Sequence, residues 1–245
     1  MNRITDFNIY VLEHLGETTE SIHCFSPGED VTGEFLNPNL MILLRTSSEN
    51  KQDYQKIYPG MKSSLFQHQA EMITKPEIRV VSISKLKLDQ SSILWDLGAG
   101  SGSISIEASL YNKSGYIYAV EKNENRVKDI KNNKKKFQVQ HLEVVHGVLP
   151  DIIDQLPDPD RIFIGGGGKD LDFIIEKASK RLLAGGIMVI NTVLIKNMAK
   201  SIELLESLGF ESEIIQMQIN YGHEMPWNKM LKSKNPVWII SGVKN

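Results

Sequence analysis

Ile93-Leu94-Trp95-Asp96-Leu97-Gly98-Ala99-Gly100-Ser101-Gly102-Ser103-Ile104 decides how the rest of the chain is read. Ser92–Leu97 is an apolar run of strand length, and three glycines follow it at alternate positions. Ile104, Ile106, Ala108 and Leu110 then supply apolar positions for a helix over Ser101–Tyr111. Gly115–Val120 is a second apolar run, closed by the acid Glu121. In an open α/β sheet, ligands bind beyond the carboxyl ends of the strands, where glycine lets backbone approach without a Cβ in the way. An acid at the end of the second strand accepts the hydroxyl protons of a ribose. The alternative is that the glycines only make a tight turn; the strand before them and Glu121 after them favour a nucleoside site.

The spacing selects among nucleosides. A pyrophosphate loop reads G-x-G-x-x-G, whereas here the third glycine comes one residue early and position 103 is Ser. Asp96 also precedes the loop, and a carboxylate there opposes a dinucleotide's phosphates. S-adenosyl-L-methionine has no phosphate and carries a sulfonium and an ammonium. The loop therefore favours S-adenosylmethionine over NAD.

Outward from this segment, strands and helices alternate. A helix over 76–87 leads in. After the second strand come a charged helix Asn123–Phe137, a strand Leu142–Val145, a strand Arg161–Ile164, a helix Asp170–Leu183, a strand Gly186–Asn191 and a helix Leu194–Leu208 closed by Gly209. This rhythm predicts a doubly wound, mostly parallel sheet covered on both faces. Glu211–Asn220 and Pro236–Val243 lack a helix between them, so the sheet is expected to end in a hairpin-like pair with an antiparallel last strand. Residues 1–45 carry two short apolar runs, Asn8–Leu12 and Leu40–Leu44, around a polar stretch Gly16–Pro38. They read as too little to bury a core of their own, and residues 46–60 read as a linker to a domain over 61–245.

Whole-chain properties narrow the class. The 245 residues are 41% hydrophobic and 24% charged, which is a soluble globular composition. The formal net charge of −2 gives no basic excess for nucleic acid, and Lys134–Lys136 reads as the solvated face of a helix. Cys24 is the only cysteine, so no intramolecular disulfide and no cysteine-cluster metal site is expected, in keeping with a cytoplasmic protein. Met1–Asp6 has no signal-peptide pattern, and no run is long and apolar enough for a membrane span.

Separated segments over 57–243 resemble the precorrin-6B and cobalt-precorrin-6B C15-methyltransferases, known as CbiT when free and as the C-terminal half of CobL when fused. They are Met72-Ile73-Thr74-Lys75-Pro76-Glu77-Ile78-Arg79, the glycine loop, Phe163-Ile164-Gly165-Gly166-Gly167-Gly168 and Asn235-Pro236-Val237. The resemblance implies a class I S-adenosylmethionine methyltransferase, Rossmann-like, that methylates C15 of a tetrapyrrole and removes the C12 acetate carboxyl as carbon dioxide. It implies contacts to S-adenosylmethionine from Thr74, Asp96, Gly98, Ala99, Gly100, Ser101, Gly102, Glu121, Gly147, Leu149 and Gly165, and it suggests a homotetramer. Val148 stands where many such enzymes have Asp, and the loops at 61–66 and 221–223 depart from the family pattern. Val11–Gly16 and Asn39–Leu43 are similar to the last part of CbiE, the C5-methyltransferase fused ahead of CbiT. With no second cofactor loop in the chain, C5 methylation is not expected here. The segment reads as a remnant, or as one piece of a split enzyme with a CbiE-like partner.

On the substrate side the candidates are Lys75, Arg79, His68 and His223. Lys75 and Arg79 are four apart on the lead-in helix and read either as carboxylate contacts or as surface ion pairs with an acid such as Glu77. His68 and His223 read either as proton donors and acceptors or as exposed loop residues. Gly165–Gly168 either clears space for a flat macrocycle or forms a loose turn. Trp95 reads as core, and Trp227 as part of a pocket or an interface. The competing functions are a methyltransferase for another small molecule, a nicotinamide oxidoreductase and a non-catalytic partner of a CbiE-like protein. An amino-group methyltransferase of nucleic acids is disfavoured, because Gly165–Gly168 stands where Asn/Asp-Pro-Pro-Tyr would be.

Overall fold

The computed structural model describes residues 7–45, 56–69 and 72–245. Met1–Asp6 and residues 46–55 of the expected linker lie outside the described residues. The chain divides into two compact units, one up to Tyr54 and one from Gln55.

The first unit is a three-stranded antiparallel sheet of β1 (Phe7–Glu13), β2 (Ser21–Phe25) and β3 (Asn39–Arg45), in the order β2-β1-β3. Ile9, Val11 and Phe25 are its buried apolar side chains, with Phe35 packed against them. Glu13 is buried beside them, accepting hydrogen bonds from Ser21 Oγ, His23 Nε2 and the amide of Leu36. The sequence reading missed β2, because Ser21-Ile22-His23-Cys24-Phe25 lacks apolar alternation. Leu40 through Leu44 are all exposed, although β3 is the most apolar strand of the three.

The second unit follows the expected alternation. Its elements are α1 (Pro76–Leu86), β4 (Ile93–Leu97), α2 (Ser103–Ala108), β5 (Tyr116–Glu121), α3 (Glu124–Phe137), β6 (Leu142–His146), β7 (Arg161–Ile164), α4 (Leu171–Arg181), β8 (Ile187–Thr192), α5 (Ile195–Ser207), β9 (Phe210–Met217), β10 (Asn220–Glu224), β11 (Lys229–Ser233) and β12 (Val237–Lys244). The seven-stranded sheet has the order β6-β5-β4-β7-β8-β12-β9. Only β12 runs against its neighbours, β8 and β9. Glu211–Asn220, expected as one strand, is divided at Gln218 and Ile219, and β10 pairs with β11 in a separate hairpin.

Strand alternation builds two cores. Leu94, Ile117, Leu142 and Val189 pack with Ile78, Leu86, Ile104, Ile106 and Ile130 on one face. Trp95, Leu97, Val120, Ile162, Ile164 and Ile190 pack with Ile174, Ile175 and Leu205 on the other. Trp95 is fully buried, with its indole N–H donated to Pro157 O at 3.0 Å. The chain starts at β4, winds out to β6, then returns to β7 on the other side. The carboxyl ends of β4 and β7 therefore flank the switch point, where a crevice is expected.

No described helix is long and apolar enough to cross a membrane.

Candidate active site

The crevice is present as a groove of about 800 Å³ along the carboxyl ends of β4, β5, β7 and β8. Its floor exists because two glycine segments meet there. Gly165 N donates to Leu97 O at 3.1 Å, and a Cβ on Gly98 would stand 3.3 Å from Gly166 N. Gly98, Gly100 and Gly102 all have positive φ, which L side chains rarely adopt. At Gly102 a Cβ would also press to 2.9 Å from Ile130.

Two acids face this floor. Glu121 is buried, and its Oε2 accepts from Gly100 N at 3.0 Å while Oε1 accepts from Asn123 N at 2.9 Å. Each oxygen keeps a lone pair for a further donor. The Arg126 guanidinium stands 3.8 Å away. Asp96 is buried on the same side of β4 as α2. Its Oδ2 accepts from Ser105 Oγ at 2.6 Å and Ser105 N at 3.2 Å, whereas Oδ1 has no partner among the described residues. Burial pushes this carboxyl up to about 7, partly offset by the Ser105 bonds and reinforced by the Glu121 charge.

Of the residues expected around the methyl donor, the groove is lined by Thr74, Asp96, Gly98, Ala99, Gly100, Ser101, Glu121, Gly147, Leu149 and Gly165. Gly102 lies just behind the lining, where it starts α2. Among the substrate-side candidates only Lys75 lines the groove.

Arg79 does not lie on the surface. It is fully buried, and rather than sharing an outer face with Lys75 it turns inward onto Glu107 of α2, with Nε and Nη2 each 2.8 Å from Oε1. Its remaining N–H groups donate to the carbonyls of Thr74 and Met61. Glu107 also accepts from Gly60 N and Met61 N, both at 2.9 Å. Glu77, the acid considered as a surface partner, instead accepts the Tyr221 hydroxyl at 2.7 Å, and that phenol is pushed up to about 12 by burial and the carboxylate. His68 is half-buried outside the groove lining, and His223 is an exposed residue of β10 paired with Met230. Trp227 at the hairpin tip is 94% exposed and does not line the groove.

The sequence reading missed Arg126, Lys169, Asn191, Val193, Leu194 and Asn197, all of which line the groove. Position offered the only signal: 191–197 lies at the carboxyl end of a parallel strand, where sites form.

The strand order and the glycine turn after the first strand of the unit define the class I S-adenosylmethionine methyltransferase fold. The precorrin methyltransferase domain family matches residues 64–244, and the chain belongs to that family. It is 33% identical over 189 residues to a Sulfolobus acidocaldarius protein named "probable cobalt-precorrin-6B C(15)-methyltransferase (decarboxylating)", covering 76% of this chain and 98% of that one. A solved precorrin-6y C5,15-methyltransferase of Geobacter metallireducens is 39% identical, with a TM-score of 0.72 over 76% of this chain and 97% of that one. The C-terminal domain of the Rhodobacter capsulatus precorrin-6Y C5,15-methyltransferase is 26% identical, with a TM-score of 0.69 over 76% of this chain and 98% of that one.

Two outcomes test this geometry. Arg79→Ala leaves the Glu107 carboxylate buried without its cation and should cost about 3–5 kcal/mol in urea unfolding, with much of the loss recovered when Glu107 is also made apolar. Asp96, with its proton held to about 7 in the fold, favours the folded state below the usual carboxylate range and loses that advantage as pH rises through 7. Between pH 5.5 and 8 the melting temperature of Asp96→Asn relative to the parent should therefore rise by roughly 4–8 °C, or about 2 kcal/mol. A difference that does not change with pH would refute the assignment.

Proposed function

We propose that the protein transfers a methyl group from S-adenosylmethionine to C15 of precorrin-6B or cobalt-precorrin-6B and removes the C12 acetate carboxyl as carbon dioxide. The observation that carries this reading is the groove itself, in a chain of this family: two touching glycine turns with the two acids Asp96 and Glu121 beside them and no cationic phosphate cradle in the loop. The groove fits the methyl donor chemically. The unpartnered Oδ1 of Asp96 suits an ammonium, and the open lone pairs of Glu121 suit two ribose hydroxyls. Gly147 and Leu149 offer a backbone and apolar seat for adenine, with Val148 giving no carboxylate there. Thr74 and Gly165 border the remaining cofactor space.

When bound, the donor supplies an electrophilic methyl on sulfur. The protein's work is to hold an electron-rich ring carbon in line with that methyl and to keep water out, so no covalent residue is required. Gly98 and Gly165–Gly168 leave the methyl side of the groove free of side chains. Lys75 faces the same groove and offers a cation to the acceptor's carboxylates. In the decarboxylation, the bond from the acetate methylene to its carboxyl breaks, and the protonated macrocycle takes up the electron pair.

Further readings belong to the same proposal. The enzyme acts in the cytoplasm, in keeping with its single cysteine. It assembles as a homotetramer, a reading supported by the exposed apolar side chains Met225, Trp227, Met230 and Leu231 on the β10–β11 hairpin. Residues 1–45 resemble the last part of CbiE and dock a CbiE-like protein, a reading that the exposed run Leu40–Leu44 supports.

Mass spectrometry after incubation with S-adenosylmethionine and each substrate form tests the reaction. The product is expected to gain one methyl and lose carbon dioxide; an unchanged mass with both forms would remove the proposal. Glu121→Ala should weaken donor binding by about 1–3 kcal/mol in calorimetry, the cost of unpairing ribose hydroxyls.

A further inference from the structure

The lining of the groove extends past the glycine floor, and the residues there have a chemistry of their own. Beyond Gly165 the lining passes to Gly166–Lys169, then to Val193, Leu194 and Asn197 at the start of α5. Asn197 Nδ2 donates to Gly168 O at 3.4 Å, which brings the first turn of α5 against the glycine turn. A Cβ on Gly166 or Gly168 would meet no atom within 4 Å, so the space above both is open. Val193 and Leu194 follow the last strand residue of β8 and are more than half exposed, with the Leu194 amide tied to Thr192 Oγ1 at 3.1 Å. Two adjacent apolar side chains held in water at a groove wall are a surface that gains by being covered.

Lys169 stands at the edge of this open space. It sits on the short 3-10 turn Gly168–Asp170, is exposed, lines the groove, and has no hydrogen bond or ion pair among the described residues. Two other cations are engaged elsewhere: Lys200 pairs with Asp172, and Arg126, on the same groove, faces Glu121 and Met72 Sδ. An unpaired ammonium beside an apolar shelf matches a ligand that is flat and apolar in the middle and anionic at its rim.

We propose that Lys169 is a specificity-determining contact for the methyl acceptor, pairing with a carboxylate arm while Val193 and Leu194 carry the face of the ring over Gly166 and Gly168. The assignment rests on the reading that the acceptor is a polycarboxylate tetrapyrrole. It differs from the role of Lys75, which follows Met72–Thr74 on the side of the groove next to Gly100.

The test separates binding from turnover. Titration with uroporphyrin, an octacarboxylate macrocycle, is followed by its absorbance for the parent protein, Lys169→Ala, Lys169→Arg and Lys169→Glu, and S-adenosylmethionine affinity is measured in parallel. Lys169→Ala should weaken porphyrin binding about two- to fivefold, Lys169→Glu more, and Lys169→Arg should restore it, with donor affinity unchanged and the differences shrinking at high salt. In turnover with precorrin-6B the same loss should appear in KM with little change in kcat. Equal porphyrin affinity in the parent and Lys169→Ala, no porphyrin binding by either, or a parallel loss of donor affinity would overturn the proposal. Porphyrin binding that depends on Lys169, in a protein that methylates neither substrate form, would keep this assignment and reject the reaction.

Discussion

Glu107 is the constraint on which the near wall of the groove depends. A fully buried carboxylate is tolerated only when its charge and lone pairs are met, and Glu107 has the guanidinium of Arg79 and the amides of Gly60 and Met61. Those bonds tie three pieces of chain that no sheet connects: the loop at 60–61, the lead-in helix α1 and the helix α2 that follows the glycine loop. Arg79 passes the restraint on to the carbonyl of Thr74, at the edge of the groove. The segment 72–75 therefore lies across the crevice because of a pair that never reaches it.

A second restraint fixes the opposite wall. Asn191 Nδ2 of β8 donates to Ser82 Oγ of α1 at 2.8 Å, so the same lead-in helix also sets the end of the strand that leads into Val193 and Leu194. Both ends of the groove are thus referred to one element.

The parallel sheet was legible because buried strands such as Ile93–Leu97 and Arg161–Ile164 are short apolar runs that end in glycine-rich turns, and that pattern is local. The glycine floor of the groove was legible for the same reason, since Gly98–Gly102 and Glu121 sit at fixed places relative to β4 and β5. What escaped reading depends on partners distant in sequence. Arg79 has the spacing of a surface residue relative to Lys75, and only the fold reveals Glu107 beneath it. Tyr221 meets Glu77 across 144 positions, which turns the expected loop at 221–223 into a pinned strand. β2 carries Ser, His and Cys on a strand whose inner residue is Phe25, so its hydrophobic alternation is nearly blank. Nothing local marks Lys169, because only the fold brings the glycine turn and α5 together on the groove.

The unpartnered oxygen of Asp96 has a calorimetric consequence. Near neutral pH this carboxyl still holds part of its proton, because burial has pushed it up to about 7. A cation seated beside it favours the ionised form, so a fraction of a proton must leave the site for each cation that enters. The heat of binding then includes the ionisation enthalpy of whatever buffer receives that proton. Phosphate and Tris solutions would report different enthalpies for one and the same binding event.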